Sequence, residues 1–359
     1  MIDCSSFREH LPGVIRALAI GVPAGGLFDW LDTPIPWMIG PMISVAVVNL
    51  MGVTVFSPPY ARQNGQVILG SAVALYFTPP VVAALVANLG AIAAATASAF
   101  VIGGLGALVL SRVSGVDGKS AFFASIPGGA MAMAVLAERY GASIPPVAVA
   151  HSLRVSILII VIPFTLTYGG IPLEAAAYRP ELPLNPLTLL AWLAFGFVLG
   201  GIAERLGLQN GYLLAPIFFG AALTANGVEL SAVPSWMTDF AQLMFGLVLG
   251  ARFERAFFIR YKLFIPFALL NAFFILIVSA LVALALSWAF GLPIATMLIA
   301  TAPGGLAEMT ILAEALKISV PLVVAFHIFR VLVVNFASPY IFSFGLWLRA
   351  WLVGAEQNR

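Results

Sequence analysis

The sequence is short of charge. Of its 359 residues, 9% are charged and 62% are hydrophobic, whereas soluble domains carry about 25% charged and about 45–50% apolar residues. Too few charged side chains are available to cover a water-soluble surface. The apolar runs at 81–110, 264–290 and 320–336 are long enough to cross a bilayer, which takes about 20 apolar residues. Because lipid offers no partners to free backbone groups, the sequence predicts an all-α polytopic membrane protein.

Cysteine and histidine are also scarce. A single cysteine, Cys4, excludes an internal disulfide framework and a cysteine-based metal cluster. Only 3 histidines are present, and copper or iron sites need a cluster of histidine and carboxylate ligands. We therefore expect no metal and no resident cofactor. A net charge of +2, without a basic patch that interleaves aromatic residues, gives no indication of nucleic-acid binding.

One block of sequence recurs 176 residues further along the chain. The stretch Ala-Ser-Ile-Pro-Gly-Gly at 124–129 corresponds to Ala-Thr-Ala-Pro-Gly-Gly at 300–305, and the register continues without a gap to Pro163 and Pro339. The matched pairs include Glu138 and Glu314, His151 and His327, and Arg154 and Arg330. The sequence therefore predicts two homologous membrane repeats, at 12–170 and 187–348, joined by a Pro-rich linker at 171–186.

Pro-Gly-Gly lies near the centre of the fifth apolar segment of each repeat, at 120–140 and 293–316. Proline and adjacent glycines disfavour a straight helix there. If every segment crosses, there are 12 spans and parallel repeats; if the fifth is a re-entrant hairpin, about 10 transmembrane helices cross and the repeats are inverted. Cytoplasmic loops carry the Lys and Arg excess. The hairpin arrangement brings the basic cluster at 252–262 inside with most other basic residues, so we favour inverted repeats with two re-entrant hairpins.

Each Pro-Gly-Gly break would begin a new half-helix at the centre of the protein. The free N–H groups and positive dipole end of a half-helix bind carboxylates and other anions. The alternative is a kink at which glycines allow tight helix packing, but matched breaks in both repeats favour a binding site. The predicted solute-binding residues are Pro127, Gly128, Gly129, Pro303, Gly304 and Gly305.

Two His-x-x-Arg pairs lie in the sixth segments: His151 with Arg154, and His327 with Arg330. A spacing of three puts both side chains on one face of a helix. Arg154 lies about 15 Å into its span at 1.5 Å per residue, the depth expected of the Pro-Gly-Gly tip. We predict that the arginines bind an anion through parallel hydrogen bonds and that the histidines relay protons. The alternatives are structural ion pairs with Glu138 and Glu314, and a core role for the histidines.

Glu308 breaks the symmetry of the repeats, because Ala132 occupies the matching position. A membrane-buried carboxylate can bind H⁺ or coordinate Na⁺. We predict that Glu308 couples transport to one of these ions. The alternative is that Glu308 balances the charge of an arginine.

These features resemble the membrane AbrB family. The resemblance rests on Pro-Trp-Met-Ile-Gly-Pro at 36–41, on the duplication and on the paired blocks of Pro-Gly-Gly, Glu and His-x-x-Arg, and it extends from about residue 12 to 348. It implies a duplicated inner-membrane domain without an established substrate. Members carry the label ammonia monooxygenase or regulator of gene expression. The first label fits poorly, because a site built from His151, His327 and Glu308 would lie beside arginines whose charge opposes metal binding.

The sequence thus predicts a secondary transporter for a small, anionic solute in the bacterial inner membrane, and not an enzyme. Its expected partners are the lipid bilayer and the solute, with no nucleic acid, and a homo-oligomer is left open. Two alternatives remain: a membrane-bound regulator that acts indirectly on gene expression, and a metal-dependent membrane monooxygenase.

Overall fold

The computed structural model describes residues 4–173 and 182–357, with side chains from 10 to 173 and from 182 to 345, so 174–181 of the predicted linker lie outside the described residues. The described chain is all helical, which confirms the predicted fold class. The first eight helices are α1 (Cys4–Trp30), α2 (Pro36–Leu50), α3 (Ala61–Ala74), α4 (Pro79–Ala87), α5 (Leu89–Ser114), α6 (Gly118–Ser125), α7 (Ala130–Arg139) and α8 (Ile144–Tyr168). The next eight are α9 (Pro186–Arg205), α10 (Gly211–Ala225), α11 (Ser235–Ala251), α12 (Arg255–Arg260), α13 (Ile265–Phe290), α14 (Ile294–Thr301), α15 (Leu306–Ala315) and α16 (Val320–Gln357).

The long helices have the surface of membrane spans. Among the described residues, 6 helices are long and apolar enough to cross a bilayer, or 7 if the bent pair α3 and α4 forms one span. In α13, Leu270, Ile277 and Leu281 are exposed, whereas Asn271 and Ile275 are buried on the opposite face. The chain is therefore a multi-pass membrane protein. About ten crossings would also require α2, α3, α10 and α11, which have 15, 14, 15 and 17 residues, and that number stays a prediction.

The apolar run at 81–110, which was expected to cross the bilayer as one segment, is divided. It consists of α4 and α5, which meet at Asn88, and α4 is turned by 94° from α3. Two consecutive prolines, Pro79 and Pro80, open α4. The residue before a proline is pushed out of the helical region, and Thr78 accordingly has φ −71° and ψ 159°. The chain therefore turns sharply before α5 begins.

The helices form two bundles, and each bundle combines helices from both halves of the chain. Helices α1, α2, α3, α9, α10 and α11 pack together as the plain bundle, and α5–α8 pack with α13–α16 as the hairpin bundle. The short helices α4 and α12 lie between them along the chain, and α15 packs against α3 across the interface. The halves at 12–170 and 187–348 are therefore not two separate bodies in space.

Reciprocal contacts relate the two halves within the plain bundle. A Cβ on Gly70 of α3 would lie 2.6 Å from the Leu213 carbonyl oxygen of α10, and a Cβ on Gly246 of α11 would lie 2.6 Å from the Met38 carbonyl oxygen of α2. The two glycines are 176 residues apart, and Met38 and Leu213 are 175 apart. Exchanging the halves maps one contact onto the other, as a two-fold relation between duplicated units would require.

The first Pro-Gly-Gly segment forms a helical hairpin with α6 and α7 as its arms. Ile126 before the proline has φ −60° and ψ 131°, so α6 ends there. The open ends of the arms lie together, because Lys119 Nζ donates to the Tyr140 carbonyl at 3.2 Å and the Ser143 N–H donates to Ser120 Oγ at 2.8 Å. The chain therefore runs to a tip at Pro-Gly-Gly and returns.

The second segment repeats this geometry with α14 and α15. His327 of α16 lies beside Ile299 of α14, with 3.0 Å between Nε2 and the carbonyl oxygen. In the first hairpin, His151 of α8 lies beside Phe123 of α6 at the same distance. Since α16 begins at Val320, shortly after α15 ends, α15 returns to the level at which α14 began.

Helix α13 runs past both hairpin tips. Asn271 Nδ2 donates to Ser125 Oγ at 3.0 Å, and Ser279 Oγ donates to the Thr301 carbonyl at 2.9 Å. Phe264, just before α13, belongs to the same apolar cluster as Tyr140 at the open end of the first hairpin. The other end of α13 leads directly into α14. The first hairpin therefore lies along the start of α13, and the second lies along its end.

Candidate functional site

A buried arginine closes the tip of the first hairpin. Arg154 of α8 is only 3% exposed. Its Nη1 donates to the carbonyls of Ser125 at 3.0 Å and Ala124 at 3.4 Å, at the end of α6. The last carbonyls of a helix have no intrahelical partners and form the negative end of its dipole. The guanidinium group therefore caps α6 and stabilises the break.

Arg330 of α16 does the same at the second tip. It is also 3% exposed. Its Nη1 donates to the Ala302 carbonyl, and its Nη2 donates to the Gly304 carbonyl at 2.6 Å. Ala302 and Gly304 flank Pro303 in the extended stretch, so the guanidinium group holds the carbonyls that the helix leaves free.

The structural ion pair predicted for Arg154 is not formed within the described residues. Glu138 is exposed in the last turn of α7, at the open end of the hairpin, whereas Arg154 binds its tip. Glu314 likewise lies in the last turn of α15, roughly 12 Å along the helix from its start at 1.5 Å per residue. Each carboxylate shares a sequence block with a Pro-Gly-Gly break. In the fold, however, the length of one hairpin arm separates the carboxylate from the tip.

The two histidines differ in what their second ring nitrogen can do. A carbonyl only accepts, so Nε2 carries the proton in His151, which contacts the Phe123 carbonyl, and in His327, which contacts the Ile299 carbonyl. Nδ1 of His151 then accepts from Arg154 Nη2 at 3.0 Å. Nδ1 of His327 is buried without a hydrogen-bond partner in the described structure. Of the two, His327 has the nitrogen that is available to accept a proton.

The two buried arginines close the two hairpin tips, and both tips contact α13. Their charges act on each other, and their hydrogen bonds go to backbone carbonyls and a histidine nitrogen rather than to carboxylates. The Nε atom of each is also buried without a partner in the part of the chain described. Because like charges repel strongly away from water and unpaired buried charge is costly, this arrangement favours the binding of an anion.

Glu308 lies at the interface between the two bundles. Its charge acts on Arg252, which follows the end of α11 in the plain bundle. Its carboxylate also folds back over the start of its own helix, since a Cβ on Gly305 would overlap Oε2. A carboxylate in the first turn is stabilised by the N–H groups and dipole there. The first hairpin has Ala132 at this position and lacks such a group.

Three further polar residues of the plain bundle belong to this interface, although the sequence alone did not indicate them as site residues. Arg62 Nη2 and Gln66 Nε2 both donate to Asn210 Oδ1, at 2.6 and 3.1 Å. The charge of Arg62 also acts on Arg252. Gln66 has a sequence signal, because Gln242 matches it in the second half. Arg62 and Asn210 have no such match, so only the fold brings them to the site.

The described residues contain no group of three or more His, Cys, Asp or Glu side chains placed to hold a metal ion. His151 and His327 each use Nε2 as a donor to a backbone carbonyl, which removes that nitrogen as a metal ligand.

Comparison with known proteins gives matches over most of the chain. The family model described as "Transition state regulatory protein AbrB" matches residues 37–345. "Putative regulator AbrB" of Escherichia coli (strain K12) is 26% identical over 334 residues, which cover 92% of this chain and 95% of that protein. "Uncharacterized protein YhjN" of Bacillus subtilis (strain 168) is 24% identical over 355 residues, with 91% of each chain covered. The similarity therefore includes both bundles and both hairpins.

Proposed function

This chain belongs to the family described as transition state regulatory protein AbrB, and we propose that it is a secondary transporter for a small anionic solute. The observation that supports this most is the pair of buried guanidinium groups at the hairpin tips, Arg154 and Arg330, whose charges act on each other. A bound anion would offset that repulsion. Broken helices that meet near the bilayer midplane are a recurring arrangement in secondary transporters.

The proposed site combines the two arginines with the extended tips. Arg154 and Arg330 contribute positive charge rather than the parallel hydrogen bonds expected from the sequence, because their Nη groups are bound to backbone carbonyls and to His151. The N–H groups at the start of α7, next to Gly129, would then donate to the solute, whereas those at the start of α15, next to Gly305, already lie under the Glu308 carboxylate. Pro127, Gly128, Pro303 and Gly304 keep the tips extended.

H⁺ or Na⁺ is the proposed coupling ion. Glu308 offers a carboxylate that either ion could use, and the unpartnered Nδ1 of His327 could accept a proton. His151 is better suited to positioning, because both of its ring nitrogens are already hydrogen-bonded. Replacing His327 with glutamine should therefore reduce proton-coupled flux more than replacing His151 with glutamine.

We further propose inverted repeats in the bacterial inner membrane, with re-entrant hairpins that approach from opposite faces. The bilayer and the solute are the proposed partners. No enzymatic activity, no nucleic acid and no resident cofactor are part of the proposal, and a homo-oligomer is left open.

Counterflow in proteoliposomes tests the proposal. Labelled phosphate, sulfate, succinate and acetate would be offered to the wild type and to variants with Arg154→Ala, Arg154→Lys and Arg330→Ala. We expect uptake of at least one anion and its loss in both alanine variants. Arg112→Ala is the matched control, since Arg112 is exposed in the last turn of α5. Flux that is unchanged in the folded alanine variants, or no flux of any anion, would refute the proposal.

The name of the Escherichia coli relative favours a second candidate, a membrane-bound regulator that acts indirectly on gene expression. Such a role requires a partner protein that carries the signal. Crosslinking in intact cells, followed by purification of this chain, would identify that partner, and recovery of this chain alone would count against regulation.

A further inference from the structure

A large cavity opens beside the end of α11. It has a volume of about 1070 Å³ and is bounded by α1, α2, the loop at 52–59 and α12. Its polar lining includes His10, Asn49, Arg252, Arg255 and one carboxylate, Glu254. The cavity therefore carries two guanidinium groups and one carboxylate on an otherwise largely apolar wall, at the point where α11 of the plain bundle ends.

The two arginines of this cavity are held differently. Arg255 Nη1 donates to the Met51 carbonyl at 3.3 Å, and the guanidinium group covers Gly52, since a Cβ there would lie 2.6 Å from Nη1. The guanidinium group of Arg252 has no hydrogen-bond acceptor among the described residues, although Arg252 lines the cavity. Arg255 is thus part of the wall, whereas the donors of Arg252 are available to a ligand.

Arg252 also links the cavity to the second hairpin. The charge of Glu308 acts on Arg252 from the hairpin bundle, while Arg62 adds a second positive charge from the plain bundle. Glu308 has an alternative neighbour, because its carboxylate already lies over the start of α15 at Gly305. One tethered carboxylate therefore lies over the positive end of a helix and acts electrostatically on a cation that faces a cavity.

We propose that this cavity admits the anionic group of a soluble ligand, a carboxylate or phosphate, to the donors of Arg252, and that Glu308 is a built-in anion that competes with it. The ligand would replace Glu308 as the counter-ion of Arg252, and Glu308 would remain at the start of α15. This inference rests on the proposed transport of an anion and adds its entry site. The hairpin bundle would thereby lose one electrostatic contact with the plain bundle whenever an anion enters.

Binding of succinate and of inorganic phosphate to purified protein tests the inference. The protein would be placed in nanodiscs of zwitterionic lipid, so that no anionic headgroup competes. Glu308→Gln keeps the size of the side chain and removes its charge. It should tighten the binding of whichever probe the wild type binds about tenfold, within the usual range of coupling between two ligands. Arg252→Gln should weaken binding by a similar factor.

Arg260→Gln is the matched control, because Arg260 lies in α12, stacks on Tyr261 and does not line the cavity. Its probe affinity should equal that of the wild type. Unchanged affinity in folded Glu308→Gln or Arg252→Gln protein would overturn the inference, as would a lack of binding of both probes to the wild type and to Glu308→Gln. Counterflow that requires Arg154 and Arg330 alongside unchanged affinity in Glu308→Gln would overturn the entry site alone and leave the transporter proposal standing.

Discussion

Replacing Arg154 with alanine should destabilise the protein, because it removes the hydrogen bonds that close the first hairpin tip. The guanidinium group donates to the Ser125 carbonyl at 3.0 Å, to the Ala124 carbonyl at 3.4 Å and to His151 Nδ1 at 3.0 Å. Hydrogen bonds within membrane bundles contribute about 0.6 kcal/mol on average and up to about 1.7 kcal/mol. The three together would therefore contribute about 2 to 5 kcal/mol to the free energy of unfolding.

Two effects change this loss of unfolding free energy in opposite directions. Removing the guanidinium group relieves its repulsion with Arg330 and the cost of burying a charge. However, Ser125 and Ala124 remain in a buried part of the tip, where each carbonyl left unpaired costs about 1–3 kcal/mol. We expect a net decrease in stability of about 2 kcal/mol, which lowers the ratio of folded to unfolded protein about thirtyfold, since about 1.4 kcal/mol is a factor of ten.

Chemical unfolding of the purified protein in detergent, followed by tryptophan fluorescence, measures this decrease. Arg154→Lys should lie between the wild type and Arg154→Ala, because lysine keeps the charge but not the planar fork of donors. Arg112→Ala should match the wild type. An Arg154→Ala protein that unfolds at the same denaturant concentration as the wild type would refute the capping role.

Three other predictions use the same unfolding assay or a variant of it. Gly246→Ala should cost about 1–3 kcal/mol, because the new Cβ would lie 2.6 Å from a carbonyl oxygen of α2, whereas Gly104→Ala, with nothing within 4 Å, should cost less than about 0.5 kcal/mol. Burial raises the pKa of the Asp117 carboxyl, but hydrogen bonds from Ser120 and from backbone N–H groups at the start of α6 lower it by a larger amount. The pKa of Asp117 is therefore below its ordinary 3.8. Its stabilising effect should therefore be complete above pH 3.8 and be lost as the pH falls through the lowered pKa; Asp117→Asn, which still caps α6, should remove that pH dependence of the melting temperature. Asn271→Ala should cost about 1 kcal/mol and speed hydrogen exchange at the first tip, measured by mass spectrometry, and unchanged exchange would contradict its contact with that tip.

The breaks were predictable because local chemistry decides them. A proline followed by two glycines ends a helix regardless of its surroundings, and α6 and α14 do end there. Arg154 and Arg330 were correctly expected near the tips, since a span of known rise places a residue at a known depth. Pro79 and Pro80 indicate the bend between α3 and α4 in the same way. The bend was not predicted, because the long apolar run that follows them favours a single span.

Contacts between distant parts of the chain were not predictable in this way. The Glu138 carboxylate was paired with Arg154 because both lie in one repeated block, yet the hairpin turn carries them to opposite ends of an arm. From the sequence, Arg252 and Arg62 were expected in cytoplasmic loops. Only the packing of α15 against α3 brings Glu308 within range of Arg252. The bundles also mix helices from both halves of the chain, which a repeat in the sequence does not specify.

Anomalous diffraction from crystals grown in bromide would test most directly whether the two hairpin tips hold an anion. We predict a bromide peak near the guanidinium groups of Arg154 and Arg330, next to the start of α7, and its disappearance in crystals of the Arg154→Gln, Arg330→Gln double variant grown under the same conditions. Bromide peaks at the protein surface with none near these arginines would contradict the account.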